Sequence, residues 1–248
     1  MSGAPLPGMK GRSAGKRYLS AFVDLGGLQS DHAVLEPGCG SGRMAEPLAE
    51  YLGDAGSYDG FDVVAKAVEW CQKNIAGKHP NLRFRHVDVL NKAYNPNGHL
   101  DPESFTFPYP DQAFDFVFLT SVFTHMLPPE VRHYLSEIHR VLRPRGSCLM
   151  TFFLLNENSR EAIRTGRTER RFEHEGDGYL YDSIEVPERA VAYREDEALS
   201  LLEEAGFSLR VPIERGRWAG GPGPYGQDVV VVEPRGETAA SDPGLTSD

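Results

Sequence analysis

Short apolar runs alternate with stretches of helical periodicity along most of the chain, and this pattern predicts strands and helices in turn. The predicted strands lie at residues 33–36, 57–62, 82–87, 114–119 and 147–153. Helices are predicted at 17–25 and 41–51, at 65–77, and from the double proline at 128 and 129 to residue 142. Pro47 lies inside the second helix and predicts a late start or a kink there. The alternation as a whole predicts an α/β domain.

The last third of the chain departs from this pattern before resuming it. Residues 156–192 are charged, contain glycine and are poor in aliphatic side chains, which predicts a lid-like insertion. A helix at 195–205 and strands at 207–213 and 227–232 follow. Because the linker 216–226 is short and rich in glycine and proline, the last two strands are predicted to run antiparallel. We therefore expect one domain over residues 1–234, loose at its first dozen residues, and a disordered tail over 235–248.

A glycine-rich turn follows the first predicted strand, with Glu36 before it and glycines at positions 38, 40 and 42. Such glycines permit a sharp turn and the close approach of a ligand. A dinucleotide-binding turn places its third glycine five residues after the first, where this chain has Arg43. The spacing instead resembles motif I of the class I S-adenosylmethionine-dependent methyltransferases. The resemblance covers about residues 33–234.

That resemblance implies a Rossmann-like sheet of seven strands, mostly parallel with an antiparallel last strand, and helices on both faces. It also implies that the protein binds S-adenosyl-L-methionine. The methionine part of this cofactor would be cradled by Glu36, Gly38, Cys39 and Gly40. The carboxylate of Asp62, at the end of the second strand, would accept hydrogen bonds from both ribose hydroxyls.

The same resemblance places the adenine ring and the reacting sulfur. Val63 would pack on the adenine, and Asp88 would reach its amino group while the N–H of Val89 reads a ring nitrogen. Thr120, after the fourth strand, would line the floor beneath the sulfonium. Taken singly, Asp62 and Asp88 could instead cap the elements that follow them.

The segment after the fourth strand is where the methyl acceptor is expected, and His125 is its candidate general base. The alternative is a histidine that only bonds to a backbone carbonyl or caps the next helix. The segment lacks the Asn/Asp-Pro-Pro-Tyr/Phe signature of the enzymes that methylate amino groups of nucleobases or glutamine. This absence disfavours a DNA, RNA or release-factor substrate.

Four arginines recur at helical spacing in the insertion and are predicted to share one helix face. They are Arg160, Arg164, Arg167 and Arg171. Such a face could recognise a carboxylate or phosphate on the acceptor. It could equally be a solvated face paired with the glutamates of the same segment.

The formal net charge of −10 and the lack of a basic tract argue against a nucleic-acid partner. No apolar run has the length of a membrane span, and three widely spaced cysteines favour a reduced, cytoplasmic protein without a membrane partner. We expect a methyltransferase that acts on a small molecule, through O- or N-methylation of a specialised metabolite or a sugar. A protein or lipid methyltransferase and a non-catalytic S-adenosylmethionine-binding protein are the alternatives. The sequence leaves the oligomeric state open.

Overall fold

The structure, a computed structural model, describes residues 12–236 of the 248-residue chain. The predicted loose N-terminal residues lie outside this range apart from residue 12, and so does the predicted tail apart from residues 235 and 236. Arg235 donates its backbone N–H to the Gly206 carbonyl at 2.8 Å. Within the described part of the chain, no helix is both long and apolar enough to cross a membrane.

Strands and helices alternate along the described chain, as the apolar pattern predicted. The strands are β1 (Ala33–Pro37), β2 (Ser57–Asp62), β3 (Leu82–His86), β4 (Phe114–Leu119), β5 (Leu142–Phe152), β6 (Leu154–Leu155), β7 (His174–Glu175), β8 (Tyr179–Tyr181), β9 (Val191–Arg194), β10 (Phe207–Leu209) and β11 (Asp228–Pro234). The α-helices are α1 (Arg12–Asp24), α2 (Ala45–Tyr51), α3 (Ala65–Cys71), α4 (Pro128–Val141), α5 (Glu157–Arg164) and α6 (Glu195–Glu204). Shorter helical turns of other types are Gln72–Ala76, Phe123–His125 and Pro187–Arg189.

Seven strands form the main sheet, in the order β10-β11-β5-β4-β1-β2-β3. The neighbouring pairs among β1 to β5 run parallel, whereas β11 runs antiparallel to both β5 and β10. The predicted fold class, including the antiparallel last strand, is confirmed. Strand order reverses between β1 and β4, and ligands bind beyond the carboxyl ends of the strands at such a point.

Alternate side chains of the strands face opposite sides of the sheet and pack under helices on both. On β4, Phe116 and Phe118 join the core with α1, α2 and α3. Val117 and Leu119 of the same strand join the core with α4 and α6. The side chains on both faces of β4 are fully buried. The centre of the sheet is therefore rigid, and residues at the ends of its strands are held in fixed positions.

Several element boundaries differ from the predicted ones, among them the start of α1 at Arg12 and the start of β5 at Leu142, and two of the differences have identifiable reasons. Residues 41–44 form turns and α2 begins only at Ala45, which confirms the late start that Pro47 predicted. Pro47 thereby lies in the first turn, where no intrahelical partner for its missing N–H is needed. The predicted strand 207–213 ends at Leu209, three residues before Pro212, which has no N–H to continue the ladder.

The predicted insertion, residues 156–192, contributes β7, β8 and the start of β9 to a second, smaller sheet in the order β6-β9-β8-β7. The prediction that its four arginines share one helix face is wrong. Helix α5 ends at Arg164, and Gly166 adopts a left-handed φ of 68° that stops the helix, so Arg167 and Arg171 lie beyond it. Arg164 pairs with Glu161 of its own helix, as a solvated face would.

Candidate functional site

A cavity of about 410 Å³ opens at the carboxyl edge of the main sheet, beside the point where strand order reverses. Its walls come from the residues that follow β1, β2, β3 and β4 and from the first turns of α4. Nine of the ten residues that the sequence nominated for the site line it, Asp88 being the exception. These nine are Glu36, Gly38, Cys39, Gly40, Asp62, Val63, Val89, Thr120 and His125.

The turn after β1 presents bare backbone to this cavity. Gly38 has a φ of 77° and Gly40 a φ of 51°, in the left-handed region that disfavours other residues. A Cβ built on Gly40 would meet no atom within 4 Å, so the space above it is open to a ligand. A Cβ on Gly38 would lie 2.5 Å from Val122 Cγ2. The turn therefore leaves room for a ligand at Gly40 and packs closely against Val122 at Gly38.

Asp62 fixes this turn from the neighbouring strand. Its Oδ2 accepts the N–H of Gly40 at 2.7 Å, and its Oδ1 accepts the N–H of Val64 at 2.8 Å. Burial raises the pKa of Asp62, and the two backbone hydrogen bonds offset part of that rise. The carboxylate is thus held in one orientation at the cavity wall, with oxygen lone pairs left for a ligand's hydroxyls.

Glu36 lies beneath the same turn and is almost completely buried. The hydroxyl of Tyr58 donates a hydrogen bond to its carboxyl oxygen. Burial raises the pKa of Glu36 well above its ordinary value, against smaller opposing effects of Tyr58 and Arg43. A cationic ligand group near this carboxyl would favour its charged form, which suits the ammonium group of a bound amino acid.

His125 lies across the cavity, at the end of a short helical turn after β4. Its Nδ1 lies 3.0 Å from the Glu188 carbonyl oxygen and its Nε2 lies 3.3 Å from the Tyr94 hydroxyl. Burial lowers the pKa of this histidine, so the ring is neutral near pH 7. A proton on Nδ1 satisfies the carbonyl and leaves Nε2 as the acceptor. His125 therefore both lines the cavity and bonds to a backbone carbonyl, so the two interpretations of it are compatible.

Asp88 is the one nominated residue that lies outside the cavity lining. Its side chain is 44% exposed and forms a hydrogen bond with His99 Nδ1 at 2.6 Å. Asn95 also donates to it, at 3.1 Å. The His99 hydrogen bond is the main reason that the pKa of Asp88 lies below its usual value. After β3 the cavity is lined instead by Val89, Leu90 and Asn91.

Sequence reasoning missed Glu130 and Tyr134, which project into the cavity from successive turns of α4. Glu130 Oε2 accepts the N–H of Leu127 at 2.7 Å, a bond that caps the start of the helix. Burial raises the pKa of Glu130 from its ordinary 4.5 to about 7. The spacing of four residues would have put both side chains on one helix face, but no local signal showed that this face meets the cavity.

Known proteins resemble this chain over its central part and in its overall fold. A family model described as a methyltransferase domain matches residues 34–146. The chain is 24% identical over 214 residues to a tRNA N(3)-cytidine methyltransferase, METTL2, of Gallus gallus, across 82% of this chain and 52% of that protein. It is 36% identical over 124 residues to a phthiotriol/phenolphthiotriol dimycocerosates methyltransferase of Mycobacterium tuberculosis, across 50% and 37%. This chain thus spans about half the length of these curated relatives or less.

A solved structure extends the likeness in fold to nearly the whole chain. The crystal structure of the PH0226 protein from Pyrococcus horikoshii OT3 superposes with a TM-score of 0.63 over 92% of this chain and 93% of that one. The two sequences are 16% identical, so this match bears on fold alone.

Proposed function

Because this chain belongs to the class I S-adenosylmethionine-dependent methyltransferases, we propose that it methylates an oxygen or nitrogen atom of a small-molecule acceptor. The observation that carries this proposal is the single cavity joining the glycine turn after β1 to His125 and Glu130 on the opposite wall. A cofactor held on the first wall would present its reacting end toward the second. The cavity volume of about 410 Å³ is in the range of small-molecule sites.

The residues fit S-adenosylmethionine, the cofactor of the family. The open space above Gly40 suits the methionine part of this ligand, and the fixed carboxylate of Asp62 suits its ribose. The buried carboxyl of Glu36 suits its ammonium group. We assign the adenine to Val63 and Val89 and the floor beneath the sulfur to Thr120. Asp88 could contribute to the adenine side only through a rearrangement of its bonds to His99 and Asn95.

When bound, the cofactor supplies a methyl group that is already activated for attack. The protein then has to align the acceptor and take up its proton where the acceptor carries one. His125 Nε2 is an unprotonated acceptor at the cavity wall, its ring orientation fixed by Glu188 and Tyr94. We therefore infer that an acceptor hydroxyl or amine displaces the Tyr94 hydroxyl from Nε2, and that Nε2 then receives the acceptor's proton.

The net charge of the chain supports a small acceptor over a nucleic acid. The chain carries a formal net charge of −10, and a protein of this sign repels phosphodiester groups. Among the described residues that line the cavity, Arg43 alone carries a guanidinium that could pair with a phosphate. This favours an acceptor without phosphates.

Calorimetric titration of the protein with S-adenosylhomocysteine, with NAD as the comparison, tests the cofactor assignment. We expect micromolar or tighter affinity for S-adenosylhomocysteine and no binding of NAD.

A screen of hydroxylated and amino-bearing metabolites, with fatty acids and a tRNA pool as rival classes, then tests which acceptor is methylated. Turnover of tRNA alone would overturn the small-molecule proposal, and an absence of turnover on every class would favour a non-catalytic binding protein.

His125→Ala tests the second wall once an acceptor is known. Turnover should fall by about a hundredfold or more, because a positioned base typically contributes that much. Wild-type turnover should rise with pH with its midpoint below pH 6.5, since burial lowers the pKa of the His125 imidazole from that value. His133→Ala is the matched control, because His133 also bonds a backbone carbonyl, that of Phe105, but lies outside the cavity lining. Equal losses in both variants would assign His125 a structural role.

A further inference from the structure

Ser121, the second residue after β4, adopts a φ of 60°, in the left-handed region. Among the residues from 12 to 236, Gln112 is the only other residue besides glycine with a positive φ, of 50°. A serine pays a conformational cost for this backbone geometry and keeps it only where surrounding contacts impose it. Ser121 lines the cavity, so the cost falls at the candidate site.

A hydrogen-bonded network centred on Gln227 imposes this conformation. The Ser121 N–H donates to Thr151 Oγ1 at 2.8 Å, and the Ser121 hydroxyl donates to Gln227 Oε1 at 3.0 Å. The Thr151 hydroxyl donates to the same Gln227 oxygen at 2.6 Å. Gln227 Nε2 donates to Thr124 Oγ1 at 3.4 Å. Thr124 and Thr151 are fully buried, and both polar ends of Gln227 are used.

The network fixes more than Ser121 itself, because the next residue meets the glycine turn. Val122 Cγ2 lies 2.5 Å from the position that a Cβ on Gly38 would occupy. Two left-handed residues, Gly38 after β1 and Ser121 after β4, thus stand at the ends of neighbouring parallel strands. A change in the backbone of Ser121 would move Val122 away from or into the turn that we assign to the cofactor.

We propose that Gln227 is a positioning residue that holds Ser121 in its left-handed conformation and thereby keeps Val122 packed against the Gly38 turn. The inference rests on the proposed function, in which that turn binds S-adenosylmethionine. Gln227 does not line the cavity; it acts through Ser121. The side chain comes from the residue just before β11, so the last hairpin of the sheet sets the shape of the cavity floor.

The test separates this role from a general loss of stability. Gln227→Met removes both polar ends at similar length, and affinity for S-adenosylhomocysteine should fall by about fivefold or more as the strain is released. Adding Ser121→Gly, which adopts the left-handed geometry without that cost, should restore affinity to within about twofold of wild type. Gln112→Gly in the same background is the matched control, since it relieves the same kind of strain at a residue outside this cavity. Gln112→Gly should not restore the affinity for S-adenosylhomocysteine.

Thr151→Val provides a second route in case Gln227→Met does not fold, because it removes the acceptor of the Ser121 N–H and one of the two donors to Gln227 Oε1 while Gln227 itself stays. It should weaken binding and be rescued by Ser121→Gly in the same way. Unchanged affinity in both single variants, or a rescue by Gln112→Gly equal to that by Ser121→Gly, would overturn the proposal. A wild-type protein that does not bind S-adenosylhomocysteine would instead overturn the proposed function on which the inference rests.

Discussion

One wall of the cavity, formed by the ends of β1 and β2, is held by hydrogen bonds between residues that are near in the chain, whereas the opposite wall, after β4, is held by residues of more distant segments. Asp62 bonds to Val64 and Gly40, 2 and 22 residues away in the chain. His125 is held by Tyr94 and Glu188, 31 and 63 residues away, and Ser121 by Gln227, 106 residues away. The first wall can therefore be read from local spacing, while the second exists only once the fold has formed.

The largest effect should come from Asp62→Ala, on the locally built wall. We expect affinity for S-adenosylhomocysteine to fall well over tenfold, since two charge-assisted hydrogen bonds to the ribose, at about 1.5–3 kcal/mol each, would be lost. The N–H groups of Gly40 and Val64 would lose their partner as well. Calorimetric titration measures the change.

Asp59→Ala is the matched control for Asp62→Ala. Asp59 lies on the same strand and pairs with Arg83 away from this cavity, so its removal should leave the affinity unchanged. Wild-type affinity in Asp62→Ala would rule out the ribose assignment and leave Asp62 as a clamp on the turn only.

Glu130→Gln should give the next largest effect, on the opposite wall, as a change in how stability depends on pH. The folded-state pKa of Glu130 is raised to about 7, so its contribution to stability is complete below about pH 4.5 and is lost as pH rises to about 7. The loss amounts to about 3 kcal/mol by linkage. Urea unfolding between pH 4.5 and 8 should show the variant gaining stability relative to wild type across that interval.

Glu137→Gln, on the same helix, should show the opposite sign. Burial favours a higher pKa for Glu137, but its hydrogen bonds with Arg140 outweigh burial and hold the pKa below its usual value. Its contribution is therefore present at neutral pH and lost on acidification. If both variants shifted stability in the same direction, the burial of Glu130 against the cavity would not be the cause of its shift.

The fold was predictable because its elements are encoded locally. Each apolar run that predicted a strand became one, and Pro47 correctly predicted the late start of α2. The insertion was predictable only as an interruption, because the pairing of β7, β8 and β9 depends on contacts rather than on periodicity. The helical spacing of its arginines failed for a specific reason, namely that Gly166 ends α5 after Arg164.

The candidate site divides in the same way. Glu36, Gly38 and Asp62 were nominated from the motif and all line the cavity. Glu130 carried only the signal of a helix-capping residue, and nothing local distinguishes a cap that faces a cavity from one that faces solvent. Gln227 is the first residue of the last predicted strand, just after the glycine-rich linker, and gave no signal at all, since its partners are on β5 and after β4.

Gly38→Ala acts where the two walls meet and should have a smaller effect than Asp62→Ala. The left-handed backbone costs an alanine about 1–2 kcal/mol, and its Cβ would press on Val122. We expect about a tenfold loss of affinity for S-adenosylhomocysteine, from the sum of strain and displacement. Adding Val122→Ala should recover only part of the loss, because it relieves the contact and not the strain. Full recovery would show that packing between the walls is the only constraint on Gly38.

Asp88→Ala should have the smallest effect and decides whether the end of β3 belongs to either wall. Its carboxylate is exposed and already engaged by His99 and Asn95, so affinity for S-adenosylhomocysteine should fall by less than about fivefold, the value of one ordinary hydrogen bond. His99→Ala serves as the control, because it frees the carboxylate of Asp88 without removing it. A loss in Asp88→Ala as large as that in Asp62→Ala would mean that Asp88 turns to the adenine amino group when the cofactor binds. In that case His99→Ala should strengthen binding, since the carboxylate of Asp88 would no longer have to give up its hydrogen bond with His99.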